Sequence, residues 1–153
     1  ILIVKEFTGS IAMALLLYVL FNVVYAVFLV PFGKLSDKIG RKKILIAGYF
    51  LFIAVTIGLF FFTNIQHLAI IFALYGMVYA MVYSSQREIV SDFSDGMKGT
   101  AFGAFYTFTG TSSIIGGTIA GALWNVSHQM MFAYLSGVAF LALILLLFIK
   151  NND

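Results

Sequence analysis

The sequence predicts an all-helical integral membrane protein, a polytopic bundle with five transmembrane helices. Of its 153 residues, 62% are hydrophobic and 10% are charged. In a soluble domain about a quarter of all residues are charged. Uncharged stretches of about 20 residues, the length that crosses the hydrocarbon core as a helix, recur along the chain. These stretches are about twice as long as a barrel strand needs, so the pattern favours helices over a β-barrel.

The five predicted spans cover about residues 11–31, 44–62, 68–83, 101–124 and 130–149. Their orientation follows from the basic residues, because lysine and arginine collect in loops that stay in the cytoplasm. Eight of the nine lie on one side, and only Lys5 lies on the other. We therefore expect a multi-pass protein of the plasma or inner membrane, with an outer N-terminus and residues 151–153 as a cytoplasmic tail. The eight residues are Lys34, Lys38, Arg41, Lys42, Lys43, Arg87, Lys98 and Lys150.

The first and third spans each carry one polar and aromatic face. Spacings of three and four residues place these side chains above one another on a helix. In one interpretation these side chains line a solvated pathway, and in the other they pack between neighbouring helices. The sequence does not decide between the two interpretations. The candidate lining residues are Tyr18, Asn22 and Tyr25 on the first span, Tyr75 and Tyr79 on the third, and Tyr106 on the fourth.

The second and fifth spans are almost uniformly apolar, which is typical of helices at the lipid-facing periphery. The fourth span differs, because glycines recur along one of its faces, where another backbone could approach closely. Packing among these five helices and packing against a part absent from this sequence explain the stripe equally well. Its members are Gly103, Gly110, Gly117 and Gly121.

The segment between the first two spans reads GKLSDKIGRKK from Gly33 to Lys43. It resembles the G-x-L-x-D-[RK]-x-G-R-[RK]-[RK] signature of the major facilitator superfamily. The glycines would allow a tight reversal at the membrane surface, so we expect a cytoplasmic loop here. The resemblance implies that this loop is a conformational switch, with Gly33, Asp37, Lys38, Gly40, Arg41 and Lys42 as its functional residues.

A second segment, residues 86–92 followed by 98–103, resembles the connection between the tenth and eleventh helices of the same superfamily. The resemblance therefore implies that the five spans are helices eight to twelve of a twelve-helix fold. Residues 9–150 would form a partial C-terminal six-helix bundle, and residues 1–8 the end of a preceding helix or an outer loop. The implied cytoplasmic gate partners are Arg87, Asp92, Lys98, Gly99 and Thr100.

By the same resemblance, two bundles would rock about a central site in alternating access. Asp37 would approach the start of the fourth span near Gly99, and Arg41 would pair with Asp92. We expect this cluster to favour the outward-facing state, in which the cytoplasmic side is closed. A helix-end contact contributes about 0.3 to 1 kcal/mol, enough to bias such an equilibrium without fixing it.

The leading functional hypothesis is a secondary active transporter that exports amphipathic or drug-like compounds. Uptake of a sugar or another metabolite is an alternative substrate class, and a truncated half-protein that does not transport is the rival function. The expected partners are the lipid bilayer, the missing N-terminal helices and a small-molecule substrate, and the sequence leaves open whether a coupling proton is a further partner. Every acidic residue lies at a span end or in a loop, so a proton-coupled transporter would need its proton-binding carboxylate in the absent helices.

Other function classes fit the sequence poorly. No carboxylate pair, histidine cluster or Ser-His arrangement can converge on a pocket, so we expect no catalytic residue and no enzyme. The chain has two well-separated histidines and no cysteine, which predicts no metal site and no cofactor. A net charge of +3 is too weak a signal for nucleic-acid binding.

Overall fold

The computed structural model describes residues 2–61, 64–94 and 96–148, which are folded into α-helices joined by short turns. The predicted tail 151–153, Lys150, and the final residues of the second and fifth predicted spans lie outside the described residues. The helices of the described part are α1 (Leu2–Thr8), α2 (Ile11–Ile39), α3 (Arg41–Gly58), α4 (Ile65–Asp92), α5 (Lys98–Val126) and α6 (His128–Phe148).

Local capping explains where two of the long helices begin. The Ser10 side chain accepts a hydrogen bond from the backbone N–H of Met13 at 3.3 Å. The Asn64 side chain does the same for the N–H of His67 at 2.9 Å. Each cap satisfies one of the four N–H groups that a helix start leaves without an intrahelical partner. Ser10 and Asn64 therefore determine where α2 and α4 begin.

The predicted loop between the first two spans is mostly helical, which corrects the expectation of a loop. Helix α2 continues through Gly33 and Asp37 to Ile39, and only Gly40 interrupts the path into α3. Pro31 lies inside α2 and removes one hydrogen-bond donor, and Gly33 follows, but neither residue ends the helix before Gly40. At Gly40 the φ angle is 99°, a value that glycine adopts at low cost.

Among the described helices, α2, α4 and α6 are long and apolar enough to cross a membrane by length and composition. Helix α3 has 18 residues and begins with Arg41, Lys42 and Lys43, which lowers its apolar content. Helix α5 has 29 residues, many of them glycine, threonine or serine. The predicted second and fourth spans are thus helical, while their crossing of the bilayer stays a prediction.

Small residues bring the central helices into close contact. Helix α4 packs most extensively against α2 and next against α3, while α6 packs against α3 and α5. A Cβ atom added at Gly76 of α4 would lie 2.7 Å from the backbone oxygen of Phe21 in α2. A Cβ atom at Gly48 of α3 would lie 2.9 Å from the Val82 side chain. Glycine at both positions therefore permits distances that alanine would not.

Helix α5 stands apart from this tightly packed group. None of its residues is buried. Its neighbours are α6 and the C-terminal part of α4, around Arg87. A Cβ atom added at any glycine of its predicted stripe would meet nothing within 4 Å. The stripe formed by Gly103, Gly110, Gly117 and Gly121 hence does not serve packing among the described helices.

Candidate functional site

Arg41 is the centre of a charged cluster where the C-terminal ends of α2 and α4 meet the N-terminal end of α3. Its guanidinium forms an ion pair with Asp92, as predicted from the sequence. The same guanidinium approaches the Glu88 carboxylate at 3.5 Å and donates to the Glu88 backbone oxygen at 3.1 Å. Asp37, one helical turn before Arg41, lies 4.0 Å away. One side chain thereby joins the ends of three helices.

Glu88 is the member of this cluster that the sequence analysis missed. Its Oε2 atom is buried and accepts no hydrogen bond within the described part of the chain, so Arg41 supplies the compensating charge. Gly33 lies directly beneath it, because a Cβ atom there would be 3.7 Å from the Glu88 Oε1 atom. Glu88 and Asp92 are four residues apart and share a helix face, a spacing that could have identified both as partners of Arg41.

The other predicted switch and gate residues lie outside the cluster. Lys38 is exposed in the last turn of α2, and Lys42 donates to the Leu147 backbone oxygen at 3.4 Å, near the end of α6. The first turn of α5, with Lys98, Gly99 and Thr100, is exposed. The predicted approach of Asp37 to this turn is absent from the described part, because α5 packs on α4 and α6 rather than on α2.

An aromatic cluster occupies the interface between α2 and α4, where the polar and aromatic faces predicted separately for the first and third spans meet. Phe21 is its centre: its ring stacks on Tyr75 at 5.3 Å and meets Tyr79 edge-on at 5.5 Å, measured between centroids. The same ring stacks on Tyr18 and Tyr25 of its own helix at 5.9 and 6.4 Å. Phe21 was not singled out from the sequence, because it is one of 17 phenylalanines and carries no polar group.

Asn22 has a local role in the structure. Its amide nitrogen donates to the backbone oxygen of Tyr18 at 2.8 Å, within α2. A side chain that bonds to the preceding turn of its own helix needs no partner from another helix. The amide oxygen remains available on the tyrosine face.

Helix α4 extends this aromatic surface toward its C-terminal end through residues four apart. Tyr79 stacks on Tyr83 at 6.4 Å, and Tyr25 of α2 meets Tyr83 edge-on at 6.1 Å. The next residue in the series is Arg87, whose guanidinium carbon lies 4.7 Å from the centre of the Tyr83 ring. The surface therefore ends in a positive charge held over an aromatic ring.

Tyr106 of α5 completes this end of the surface. Its hydroxyl oxygen accepts two hydrogen bonds from Arg87, at 3.0 Å from Nε and 2.7 Å from Nη2. Arginine is protonated throughout the physiological pH range, so this end of the surface carries a permanent positive charge. Of the predicted pathway residues, Tyr106 is the one that α5 contributes to the aromatic surface.

An apolar cavity of about 510 Å³ lies beside the aromatic cluster, between α2, α3, α4 and α6. None of its lining residues is charged. The wall includes Tyr18, Phe21 and Tyr75 from the predicted pathway face, together with Thr56 of α3. The Thr56 hydroxyl accepts a hydrogen bond from Ser136 of α6 at 2.9 Å, which joins these two helices at the cavity.

The end of the bundle opposite the Arg41 cluster carries a contact that the sequence analysis did not foresee. Glu6 of α1 lies 2.9 Å from the Nε2 atom of His128, the first residue of α6. The His128 ring packs against Trp124 with centroids 4.0 Å apart. The contact between Glu6 and His128 joins α1 to the start of α6, next to the turn after α5. Residues so distant in sequence offer no pattern from which their contact could be predicted.

Comparison with known proteins identifies the family. The model of the Major Facilitator Superfamily matches residues 1–153. The chain belongs to this superfamily. It is 44% identical over 141 residues to an uncharacterized MFS-type transporter of Methanocaldococcus jannaschii, which covers 92% of this chain and 35% of that protein.

A second relative is more distant. The quinolone resistance protein NorA of Staphylococcus aureus is 31% identical over 120 residues, which cover 75% of this chain and 30% of NorA. The chain thus spans about a third of the length of the curated relatives it matches. No solved structure matches it significantly. Membership supports the predicted membrane-embedded helical bundle and a role in transport.

Proposed function

We propose that this chain forms the C-terminal part of a secondary active transporter that exports amphipathic compounds by alternating access. The observation that carries the proposal is the superfamily match over all 153 residues, joined to an uncharged cavity next to an aromatic surface. Apolar and aromatic walls with a few polar groups suit an amphipathic ligand. The similarity to a quinolone resistance protein supports export of drug-like compounds over uptake of a sugar or another metabolite.

In this proposal, α2 to α6 are five transmembrane helices of a twelve-helix protein in the cell membrane. The outer end holds Glu6 and His128, and the cytoplasmic end holds the Arg41 cluster. The open glycine face of α5 supports contact with the helices that this sequence lacks, because small residues let backbones approach closely. In the alternative hypothesis of a half-protein that does not transport, the glycine face of α5 would be exposed to lipid.

The Arg41 cluster would act as the cytoplasmic gate. It ties α2, α3 and α4 into one unit, and we expect it to favour the outward-facing state. Among the described residues, the carboxylates of Glu6, Asp37, Glu88 and Asp92 lie at helix ends. This placement supports the expectation that a coupling proton binds to a carboxylate in the other helices.

The experiment is a dye-exclusion assay in cells that lack their own exporters. The chain is expressed together with the upstream sequence that its gene encodes, and fluorescent amphipathic dyes are followed with and without a protonophore. We expect energy-dependent exclusion of dye. Membrane insertion without any dye movement would contradict export, and accumulation of a sugar or another metabolite in the same cells would favour uptake.

A glycine variant tests the role assigned to α5. Gly117→Leu places a large side chain on the open face, where an added Cβ atom meets nothing within 4 Å. We expect normal insertion of the protein and loss of dye exclusion. Gly137→Leu on α6, where an added Cβ also meets nothing within 4 Å, is the matched control. Equal transport by both variants would favour a lipid-facing α5.

A further inference from the structure

Among the described residues, Arg87 has no acidic partner, although two carboxylates lie close to it in sequence. Glu88 and Asp92 both pair with Arg41, and none of the ion pairs in the described part of the chain includes Arg87. Adjacent residues on a helix point in directions about 100° apart, so Glu88 and Arg87 lie on different faces of α4. The Arg87 side chain is exposed at the end of the aromatic surface.

The guanidinium is nevertheless held in place. Tyr83 lies beneath it, and two of its N–H donors bind the Tyr106 hydroxyl oxygen. A guanidinium has five such donors, so three remain for another acceptor. A fixed guanidinium with unused donors matches the geometry of a carboxylate, sulfonate or phosphate group.

The surface leading to Arg87 is suited to an apolar body. Tyr75, Tyr79, Tyr83 and Arg87 follow one another at four-residue steps along α4, a length of about 18 Å at 1.5 Å per residue. The side chains of Tyr79 and Tyr106 are 45% and 43% exposed, so the aromatic rings are accessible beside the positive charge. A ligand that lies along this surface meets aromatic rings first and a cation at the cytoplasmic end.

We propose that Arg87, positioned by Tyr83 and Tyr106, binds the anionic group of an amphipathic ligand whose apolar body lies along the tyrosines of α4. This inference rests on the proposed transport function and narrows its substrates to molecules with one negative group. A soluble amphipathic anion and the headgroup of an anionic lipid share this chemistry, so the experiment includes both.

The test measures equilibrium binding of two fluorescent probes with the same anilinonaphthalene skeleton. One probe, 1-anilinonaphthalene-8-sulfonate, carries a sulfonate, and the other, N-phenyl-1-naphthylamine, carries no charge. The full-length protein is placed in nanodiscs of phosphatidylcholine. In Arg87→Gln we expect the affinity for the sulfonate probe to fall about tenfold, the effect of losing a hydrogen-bonded charge partner, while the neutral probe binds as before.

Two further variants separate charge from structure. Tyr106→Phe keeps the ring and removes the hydroxyl that orients Arg87, so the affinity for the sulfonate probe should fall roughly threefold, in line with one neutral hydrogen bond. Lys34→Gln removes an exposed charge from the same membrane side and should leave both probes unaffected. Equal weakening of both probes in Arg87→Gln, or wild-type binding without preference for the sulfonate, would overturn the proposal.

Nanodiscs that contain phosphatidylglycerol distinguish the two sources of the anionic group. Loss of sulfonate binding in these discs would assign the site to a lipid headgroup, and unchanged binding would assign it to a soluble ligand. Dye export that is the same in wild type and Arg87→Gln would refute the Arg87 site while leaving the transporter in place. Arg87-dependent binding without any export would refute the transport function alone.

Discussion

Glycines have opposite surroundings in the two halves of this bundle. At Gly76, between α2 and α4, an added Cβ atom would lie 2.7 Å from a backbone oxygen, while along α5 it would meet nothing within 4 Å. The first glycine is required by a contact already formed in the described chain. The α5 glycines have no such contact, so their explanation must be sought in lipid or in another part of the protein. A glycine pattern alone does not distinguish these cases.

The largest effect is expected at the α2–α4 interface. Gly76→Ala forces the helices apart, because the nearest atoms belong to the backbone and to a β-branched side chain, Val24 at 3.1 Å. We expect a loss of about 1 to 3 kcal/mol in the free energy of unfolding, as for overpacking in a close-packed core. Thermal unfolding in detergent, followed by size-exclusion chromatography, measures it. Gly137→Ala is the control, and an equal loss there would contradict the comparison.

Breaking the charged cluster should have the next largest effect. Arg41→Gln leaves the buried Oε2 atom of Glu88 without its compensating charge, a loss of about 1 to 3 kcal/mol discounted for partial exposure. We expect lower stability and faster labelling of introduced cysteines on the cytoplasmic side. Lys43→Gln, an exposed cation two residues away, should change neither. Unaltered labelling in Arg41→Gln would refute the gate.

A double-mutant cycle on Thr56 and Ser136 tests the contact between α3 and α6. The Thr56 hydroxyl also donates within its own helix, to Phe52 or Ile53, so loss of Ser136 leaves it satisfied. We expect a coupling of about 0.6 kcal/mol between Thr56→Val and Ser136→Ala, the average for hydrogen bonds within membrane proteins. The coupling is calculated from the changes in the free energy of unfolding of the two single variants and the double variant, each measured in detergent relative to the wild type. Strict additivity would show that the bond contributes nothing.

The smallest effect is expected for Asp37→Asn. The Asp37 side chain is 61% exposed and 4.0 Å from Arg41, and exposed ion pairs contribute between about 0 and 1 kcal/mol. Cytoplasmic labelling should therefore change less than in Arg41→Gln. A larger change in Asp37→Asn than in Arg41→Gln would indicate that Asp37 contacts another group in the complete protein, such as the start of α5 expected from the sequence.

Features that depend on spacing within one helix can be predicted from the sequence, as the tyrosine faces of α2 and α4 show. The pairing of Arg41 with Asp92 joins two helices, and it was implied by the resemblance to the superfamily signature rather than by spacing. The contact of Glu6 with His128 belongs to no such motif and carries no periodic signal, so it was missed. The signature segment is helical up to Ile39, against the expectation of a loop. A single glycine inside a helix, such as Gly33, costs only about 1 kcal/mol and does not end it.

The junction at Gly40 has a mechanical consequence. One non-helical residue separates α2 from α3, and Arg41 fixes the junction to α4. Because so little chain separates the helix ends, we expect a tilt of one of them to displace the other two. Any other L-amino acid at this φ of 99° would be strained. We therefore expect substitution of Gly40 to loosen the linkage between the three helices.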